Sequence, residues 1–453
     1  MNQKGLPVTK ARETALRALV RVEQDGAYLN LVLPALLTGA CAEERSLAVQ
    51  LAKGTLQRLN TLDWALGLFI RRSLHTFTPW VRNLLRLSAY QILYLDRIPA
   101  YAAVDQAVRL ARRFGHRGVA GLVNAVLRRL AQESETLPWP DRLRRPVEYL
   151  SLTHSMPQWL ISRAIERFGL EEAENWCRAN NQAPRTAVRP NILRTNTEDL
   201  IEKLRHAGFA AAPSPLVPGI LQLATAGSPA ATDAFKKGLF TIQGESSALV
   251  APLLNAKSGD TVVDLCSAPG GKTTHIAELL KDCGRVYAVE LYQTRLQLVE
   301  KAARRLGLKS IQPLLADGRN IDRYNLSTPA AVLVDAPCSG LGVIRRLPEI
   351  KWRRSEKELY SRHKLQLELL DAAARLLPPG GKILYAVCSN EPEETVQVVE
   401  SFIRLHREFF PQPLKPLLPA VLREKQTDRY TVSLLPHYHG LDGFFIALFS
   451  KKV

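Results

Sequence analysis

The sequence predicts an α/β protein whose doubly wound, mostly parallel sheet follows an all-helical bundle and a small α+β connector. Three patterns support this prediction. Apolar side chains recur at helical spacing from about residue 8 to 133, prolines interrupt the helices near residue 140, and short apolar strands alternate with helices after about residue 236. With 453 residues, 46% of them hydrophobic and 23% charged, the chain can bury several cores, and its composition excludes disorder, collagen and a disulfide scaffold.

The first predicted region, residues 1–140, is a helical bundle with an arginine-rich face. One helix carries an apolar face formed by Val119, Leu122, Val123, Val126, Leu127 and Leu130. The opposite faces of the bundle carry Arg109, Arg112, Arg113, Arg117, Arg128 and Arg129. The net charge of the chain is +18, and residues 1–150 hold 22 Lys and Arg against 12 Asp and Glu. This surplus indicates a polyanionic partner, so RNA docking is one interpretation and a solvated face without a partner is the other.

Membrane proteins, secreted proteins and metalloproteins are disfavoured. No apolar run approaches the ~18–20 residues that span a bilayer, and Met1-Asn2-Gln3-Lys4-Gly5 lacks the apolar core of a secretory signal. The cysteines are scattered without metal-ligand spacing, so we expect no metal site and no disulfides. We therefore expect a cytoplasmic protein in which any unusual cysteine is reactive rather than structural.

The second predicted region, residues 147–235, follows a proline-rich linker. It predicts a small α+β subdomain with helices over 158–168 and 171–180, an extended segment over 186–191, and turns over 211–232. The third region, residues 236–453, predicts strands at 261–265, 285–290, 311–316, 331–334, 382–387 and 444–449. Its helices are predicted over 272–280, 292–306, 356–377 and 393–406. Ligands bind beyond the carboxyl ends of the strands in such a sheet, so the residues that end each strand are candidate site residues.

The first of these strands runs into a loop of small residues between Asp264 and Thr273. Glycines let backbone amides approach a ligand at the start of a helix, so the candidate cofactor-binding residues are Cys266, Ser267, Ala268, Pro269, Gly270, Gly271 and Lys272. A phosphate-binding P-loop is excluded because Cys266 stands where its first glycine is required, and the dinucleotide pattern G-x-G-x-x-G is absent. These exclusions favour a nucleoside-containing cofactor that has no phosphate to bind.

Four successive strands end at a carboxylate, namely Asp264, Glu290, Asp317 and Asp335. One such carboxylate is usually a helix cap or a surface charge, but four in succession indicate a site. Glu290 can accept hydrogen bonds from a ribose diol, and Asp317 can accept one from an exocyclic adenine amine. S-adenosylmethionine combines a ribose, an adenine and a sulfonium cation, and it fits this arrangement.

Two cysteines follow the fourth and fifth strands, in Asp335-Ala336-Pro337-Cys338-Ser339-Gly340 and in Val387-Cys388-Ser389-Asn390. Each is either a buried small hydrophobe, the usual fate of a free cysteine, or a reactive thiol. With these motifs the chain resembles the Sun-type RNA (cytosine-C5) methyltransferases. The matching stretches are 238–247, 264–273, 316–318, 335–340, 388–389 with Glu393-Glu394 after it, and 442–445.

The helical region is similar to the NusB-type RNA-binding domain, especially over 11–33 and 119–129. A NusB-like domain ahead of this catalytic region points to the RsmB branch of the family. The resemblance implies a Rossmann-like class I methyltransferase sheet, S-adenosylmethionine as methyl donor and 16S ribosomal RNA as partner. We expect the protein to be a monomer that does not act at a membrane.

The resemblance also implies the roles of four residues. Cytosine C5 becomes nucleophilic when a thiolate adds at C6, and Cys388 is the implied nucleophile. Cys338 assists removal of the C5 proton and release of the product. Asp335, also a candidate cofactor-binding residue, is expected to position the base near N3 or N4, and Lys272 is expected beside the cofactor and the catalytic loop.

Three alternatives stay open at this point. The catalytic motifs equally fit a transfer-RNA cytosine methyltransferase. Reversed cysteine roles are typical of DNA cytosine methyltransferases, but no Glu-Asn-Val motif follows Cys338. A non-catalytic RNA-binding assembly factor with the same fold is the third. The chain departs from the family pattern at Ser267, Ala386-Val387 and Glu290, where alanine, Ser-Thr and aspartate are frequent, and none of these changes removes a chemically required group.

Overall fold

The computed structural model describes residues 9–224, 227–426 and 428–453, so the expectation about Met1–Gly5 lies outside the described residues. The chain folds into two compact units. The N-terminal unit comprises the residues up to Gln182 together with Ile344–Arg353, and the C-terminal unit comprises Ala183–Val343 and Arg354–Val453. The three-way division into 1–140, 147–235 and 236–453 stays a prediction.

The described residues form the following α-helices in chain order: α1 Lys10–Gln24, α2 Leu29–Leu36, α3 Ala42–Gln57, α4 Leu59–Gly67, α5 Pro79–Tyr94, α6 Ala100–Phe114, α7 Arg117–Glu133, α8 Pro146–His154, α9 Gln158–Phe168, α10 Leu170–Asn181, α11 Thr197–His206, α12 Asp233–Lys236, α13 Glu245–Ala248, α14 Val250–Leu254, α15 Gly271–Leu279, α16 Gln293–Leu306, α17 Ile350–Arg353, α18 Glu356–Leu376, α19 Val396–Leu405, α20 Ala420–Arg423 and α21 Pro436–His439. The strands are β1 Thr186–Pro190, β2 Ala211–Pro213, β3 Leu221–Leu223, β4 Phe240–Ile242, β5 Thr261–Asp264, β6 Arg285–Glu290, β7 Ile311–Leu315, β8 Ala331–Asp335, β9 Lys382–Val387, β10 Phe409–Pro411, β11 Thr431–Leu434 and β12 Phe444–Lys451.

The N-terminal unit is helical, as its apolar periodicity predicts. Its core takes side chains from α1 to α7, and α7 contributes its predicted apolar face through Val123, Val126, Leu127 and Leu130. Only Gly115 and His116 separate α6 from α7, so these two helices form an antiparallel hairpin. The predicted all-helical bundle is confirmed.

Residues Ile344–Arg353 belong to the N-terminal unit although they follow β8 in the sequence. The Glu349 carboxylate accepts a hydrogen bond from the backbone N–H of Leu29 at the start of α2, over 2.9 Å. Trp352 donates from its indole to a carbonyl in the last turn of α3. The Arg353 guanidinium donates to three carbonyls at and after the end of α1, those of Val22, Gly26 and Ala27. The segment thus supplies partners to three helix ends.

The connector contains an antiparallel sheet with the strand order β2-β3-β1-β4 among the described residues. Turns were expected throughout 211–232, and this expectation was wrong for Ala211–Pro213 and Leu221–Leu223, which are strands. Each is three residues long, too short for an alternating pattern to be recognised, and each is held by pairing with its neighbours rather than by its own propensity. Within 211–232, Thr225 and Ala226 lie outside the described residues.

The larger sheet has the strand order β10-β12-β9-β8-β5-β6-β7 in the described part of the chain, with β11 also paired to β12. The strands from β7 to β9 in this order are parallel, and β12 runs antiparallel to β9. Chain order reverses between β5 and β8, so the carboxyl ends of these two strands flank the crevice where ligands bind in such sheets. The predicted Rossmann-like sheet is confirmed.

The helix expected over 393–406 is interrupted. Pro392–Glu394 form a short 3-10 turn and α19 starts at Val396, because Thr395 has φ −125° and ψ −99°, outside the helical region. Among the described helices, none combines the length and apolar character needed to cross a bilayer. The same residues contain no cluster of His, Cys, Asp and Glu that could hold a metal ion.

Candidate active site

An ion pair joins the ends of two elements at the carboxyl edge of the larger sheet. Asp335 ends β8, and Lys272 lies in the first turn of α15. Lys272 Nζ is 2.6 Å from Asp335 Oδ2, and both side chains are largely buried. Burial alone lowers the pKa of Lys272, but the Asp335 carboxylate outweighs burial, so the pKa of Lys272 lies above its ordinary value. Lys272 is therefore a fixed cation at this edge.

The loop before α15 places backbone close to the sheet. Gly270 has φ +100°, and a Cβ there would lie 3.2 Å from the backbone Cα of Val299, so the position favours glycine. Asp264 is buried and accepts hydrogen bonds from Thr273 Oγ1 at 2.7 Å and from the Cys266 backbone N–H at 3.4 Å. Burial raises the pKa of Asp264 to about 7. Asp264 thus holds the loop in place.

Arg189, a buried side chain of β1, forms hydrogen bonds with the residues that follow this loop. Its guanidinium is 3.0 Å from Glu278 Oε1, and the two side chains are 3% and 1% exposed. It also donates to the Gly271 carbonyl at 2.9 Å and to Thr274 Oγ1 at 3.1 Å. The sequence analysis did not single out Arg189, because nothing local in the sequence links it to a helix more than eighty residues away.

The remaining residues of the predicted cofactor loop differ in their surroundings. Burial raises the pKa of the Cys266 thiol well above its ordinary value, so Cys266 is an unreactive thiol. Ser267 is buried, and its Oγ has no hydrogen-bond partner in the described part of the chain. Ala268 and Pro269 are joined by a cis peptide bond, and the Ala268 carbonyl accepts from Arg295 at 3.2 Å.

The two outer strand-end carboxylates also differ. Glu290 is buried, and its Oε1 accepts from the backbone N–H of Tyr292 at 3.2 Å and lies 3.6 Å from Arg295 Nη1. Asp317 is engaged by Arg319, which donates to both of its carboxylate oxygens, the shortest contact being 2.6 Å. These hydrogen bonds lower the pKa of Asp317. Arg319 is a second partner that sequence reasoning missed.

The two predicted catalytic cysteines lie side by side. β8 and β9 are parallel neighbours with Asp335 paired to Ala386, so the loops that follow them meet, and the Sγ atoms of Cys338 and Cys388 are 3.3 Å apart. This separation is far longer than a disulfide bond, and both cysteines are free. The hydrogen bond from Cys338 is the largest influence on Cys388 and lowers the pKa of its thiol. Burial and the Asp335 carboxylate oppose this lowering, and the Lys272 cation adds to it. The same hydrogen bond, together with burial, raises the pKa of Cys338 well above its ordinary value.

A buried carboxylate ties the two cysteine loops together. Glu394 accepts hydrogen bonds from the backbone N–H of Ser339, at 2.7 Å, and from its hydroxyl. Ser339 Oγ also lies 3.2 Å from Ser389 Oγ, so each serine after a cysteine joins one network. The sequence analysis quoted Glu394 within a matching stretch but gave it no role. Glu394 is the second residue of the helix predicted over 393–406, a position that gives no sign of a partner in another loop.

This arrangement can perform nucleophilic chemistry. Cys388 has the lowered pKa of an attacking thiolate, and Cys338 is a thiol in contact with it that can exchange a proton. Lys272 and Asp335 lie beside the pair, and the Lys272 ammonium is also 5.2 Å from the centre of the Phe444 ring. The structure thus brings together all four predicted catalytic residues at one edge of the sheet.

Models of three protein families match the chain. The model described as "16S rRNA methyltransferase RsmB/F" matches residues 251–450. The NusB family model matches residues 9–132, and the model of an RsmF/B-like ferredoxin-like domain matches residues 156–229. Among curated relatives, the chain is 38% identical to a probable ribosomal RNA small subunit methyltransferase B of Bacillus subtilis, over 98% of this chain and 99% of the relative. It is 32% identical to the corresponding protein of Synechocystis, over 97% and 99%.

Solved structures agree with the fold. The structure of PH0851 has a TM-score of 0.85 and 29% identity, and the match covers 99% of each chain. NSun6 from Pyrococcus horikoshii, solved with SFG, has a TM-score of 0.57 and 23% identity over 65% of this chain and 98% of that one, which supports the fold alone.

Proposed function

Because the chain belongs to the RsmB/F family of 16S ribosomal RNA methyltransferases, we propose that it transfers a methyl group from S-adenosylmethionine to C5 of a cytosine in 16S ribosomal RNA, through a covalent adduct with Cys388. The observation that carries the proposal is the contact between Cys338 and Cys388, in which the pKa of one thiol is lowered and that of the other raised. We further propose that the protein acts as a cytoplasmic monomer.

In the proposed reaction Cys388 acts as the nucleophile and Cys338 acts as a base. The Cys388 thiolate adds to C6 of the ring, and the electron pair of the C5–C6 double bond moves towards C5, which becomes nucleophilic. Once Cys388 is bonded to C6 it carries no charge and no longer raises the pKa of Cys338 through their hydrogen bond, so Cys338 can lose its proton to solvent. After methylation at C5 the Cys338 thiolate takes the C5 proton, the double bond re-forms, and Cys388 leaves as a thiolate. We assign to Asp335 a hydrogen bond near N3 or N4 of the base. Lys272 donates to the Asp335 carboxylate and so orients it.

The residues of the loop fit the cofactor. Gly270 has a positive φ that favours glycine, which lets the loop turn tightly into α15. The unpartnered Oγ of Ser267 and the buried Glu290 provide polar groups for a nucleoside without a phosphate. We propose that Cys266–Lys272, Glu290, Asp317 and Asp335 hold it. When bound, S-adenosylmethionine supplies an electrophilic methyl group. We propose that Asp317 accepts a hydrogen bond from the cofactor while it stays paired with Arg319.

The assignment of the cysteines has a direct test. RNA that contains 5-fluorocytidine should form an adduct with the protein that survives denaturing electrophoresis. Fluorine replaces the C5 proton, so the elimination that would release Cys388 cannot occur. Cys388→Ala should abolish the adduct, and Cys338→Ala should retain it. Cys283→Ala, a change at an exposed free cysteine, is the matched control and should behave like the unchanged protein. Loss of the adduct in Cys338→Ala with retention in Cys388→Ala would reverse the roles.

The nature of the substrate is tested separately. Unmodified 16S ribosomal RNA should accept a labelled methyl group, and mapping should place it on C5 of a cytosine. Transfer to transfer RNA but not to 16S RNA would support the transfer-RNA alternative. Binding of S-adenosylmethionine without transfer to any RNA would support the non-catalytic alternative.

A further inference from the structure

The hairpin formed by α6 and α7 contains a groove of about 760 Å³ in the N-terminal unit. On α6 it is lined by Tyr101, Val104, Asp105, Val108 and Arg112, which share one face of the helix. On α7 it is lined by a second single face, which includes Arg117, Ala120, Gly121, Asn124, Arg128 and Gln132. Two helix faces therefore point into one groove, and both carry arginines.

The six arginines predicted on this face of the bundle fall into two groups. Arg109, Arg113 and Arg129 are each paired with a carboxylate, of Asp105, Glu13 and Glu133 respectively. Arg112, Arg117 and Arg128 line the groove, are exposed, and have no ion-pair or hydrogen-bond partner among the described residues. The one carboxylate in the groove, that of Asp105, is 2.7 Å from Arg109 and so is already neutralised. The groove therefore carries uncompensated positive charge.

Two further features indicate what the groove binds. Arg117 is the first residue of α7, where the helix dipole disfavours a cation and favours an anion. Tyr101 is 79% exposed at the other end of α6 and can stack with an unpaired base. Arg117 and Arg128 are about 16 Å apart along α7, from the helical rise of 1.5 Å per residue. A partner that offers several anionic groups and a flat aromatic surface over this length is single-stranded RNA.

We propose that the α6–α7 groove binds a single-stranded segment of RNA, with phosphates on Arg112, Arg117 and Arg128 and a base stacked on Tyr101. The proposal rests on RNA being the substrate, and it adds a second RNA contact, distinct from the cysteine site. Asn124 and Gln132 supply uncharged side chains that can donate hydrogen bonds in the same groove.

RNA binding by the groove can be tested with a short fluorescein-labelled single-stranded RNA. Its affinity is measured by anisotropy over a range of salt concentrations. The combined variant Arg112→Ala, Arg117→Ala, Arg128→Ala should weaken binding about tenfold or more at low salt. It should also reduce the slope of log affinity against log salt by about 2, since each lost phosphate contact contributes about 0.7. The control Arg113→Ala, Arg129→Ala removes charge from the same helices at arginines whose carboxylate partners, Glu13 and Glu133, do not line the groove, and it should change the slope much less. Equal losses in the two variants, or no loss in the groove variant, would overturn the proposal. The second result would favour a protein partner for the groove.

A single substitution gives an independent test that removes no existing contact. A Cβ on Gly121 would meet nothing within 4 Å, so a side chain fits there. Gly121→Glu should weaken RNA binding severalfold, whereas Gly121→Gln, of the same size without charge, should bind nearly as the unchanged protein does. Equal binding by the two variants would contradict the proposal, even if the triple variant fails to fold.

Stacking is tested at Tyr101. Tyr101→Ala should weaken binding of the single-stranded RNA severalfold and leave binding of an RNA duplex unchanged, and Tyr101→Phe should restore the single-strand affinity. An equal effect on both RNAs would argue against stacking. These measurements need no methyl transfer, so failure of the proposed chemistry and failure of the groove give different results: the first abolishes methylation with binding intact, and the second leaves the groove variants unchanged in binding.

Discussion

The sheet edge and the α6–α7 groove use charge in opposite ways. At the sheet edge Lys272 and Asp335 are largely buried and paired with each other, and their field acts on the neighbouring thiols. In the groove Arg112, Arg117 and Arg128 are exposed, with no partner in the described part of the chain. Buried, paired charges set the protonation of groups inside the protein, and exposed, unpaired charges are available to another molecule.

The largest expected effect separates chemistry from binding. Cys388→Ala should reduce methyl transfer by about 10⁴-fold or more, because no other thiolate replaces the nucleophile. Its affinity for single-stranded RNA should stay unchanged, since the groove arginines are intact. Transfer of labelled methyl groups and anisotropy measure the two properties on the same sample. A variant that loses RNA affinity along with activity would break the distinction between the two regions.

The same chemical change should have unequal effects on stability in the two regions. Arg189→Met leaves the buried Glu278 carboxylate without its partner and should lower the free energy of unfolding by about 3 kcal/mol or more. Arg128→Met, in the groove, should change it by less than about 0.5 kcal/mol. Urea denaturation followed by circular dichroism measures both values. Similar losses would mean that the groove arginines also stabilise the fold.

The pH dependence of the rate sharpens the role of the buried cation. Transfer requires the Cys388 thiolate, so the rate rises with pH through the pKa of Cys388, which lies below its ordinary value. Lys272→Met should raise that pKa and move the rising limb to higher pH, with a loss of about 10- to 100-fold at neutral pH that shrinks as the pH increases. Lys301→Met, at an exposed lysine of α16, is the control. A loss of activity that is constant with pH would mean that Lys272 acts through the cofactor or through Asp335 and not on the Cys388 thiolate.

The smallest effect concerns the open floor of the groove. Gly121→Ala replaces a glycine inside α7 at a position where a Cβ meets nothing, so it should raise the free energy of unfolding by up to about 1 kcal/mol. RNA affinity should change little, because one methyl group adds no charge. A decrease in stability would show that the groove is more closely packed than these distances indicate.

The sequence predicted the elements that have a strong period. The apolar face of α7 and the continuous apolar runs of β6 and β9 were located to within a residue or two, because burial of one helix face, or of both strand faces, leaves a pattern in the chain. The short strands β2 and β3 were missed because three residues carry no period. The strands β10 and β11, of three and four residues and paired with β12, were also missed because they are too short to show a clear alternation.

The grouping of candidate residues at neighbouring strand ends could be predicted from the sequence, whereas contacts between residues far apart in the chain could not. Cys338, Cys388 and Asp335 could be found because parallel strands end at one edge. Arg189 and Glu394 became visible only in three dimensions, since their partners are distant in sequence or depend on how a loop folds. Likewise, the division of the arginines into paired and unpaired groups depends on neighbours such as Glu13, about a hundred residues from Arg113.

The decapeptide Ile344–Arg353 bears on how genes for such proteins can be cut and recombined. A fragment that stops at Gln182 lacks Glu349 and Arg353, which satisfy backbone groups at the start of α2 and around the end of α1. Expressed alone, it would be an incomplete helical module with frayed termini. Exchange of this module between homologous enzymes would also have to transfer the ten codons for Ile344–Arg353, which lie far downstream in the gene. We therefore expect the helical module and this decapeptide to be inherited together.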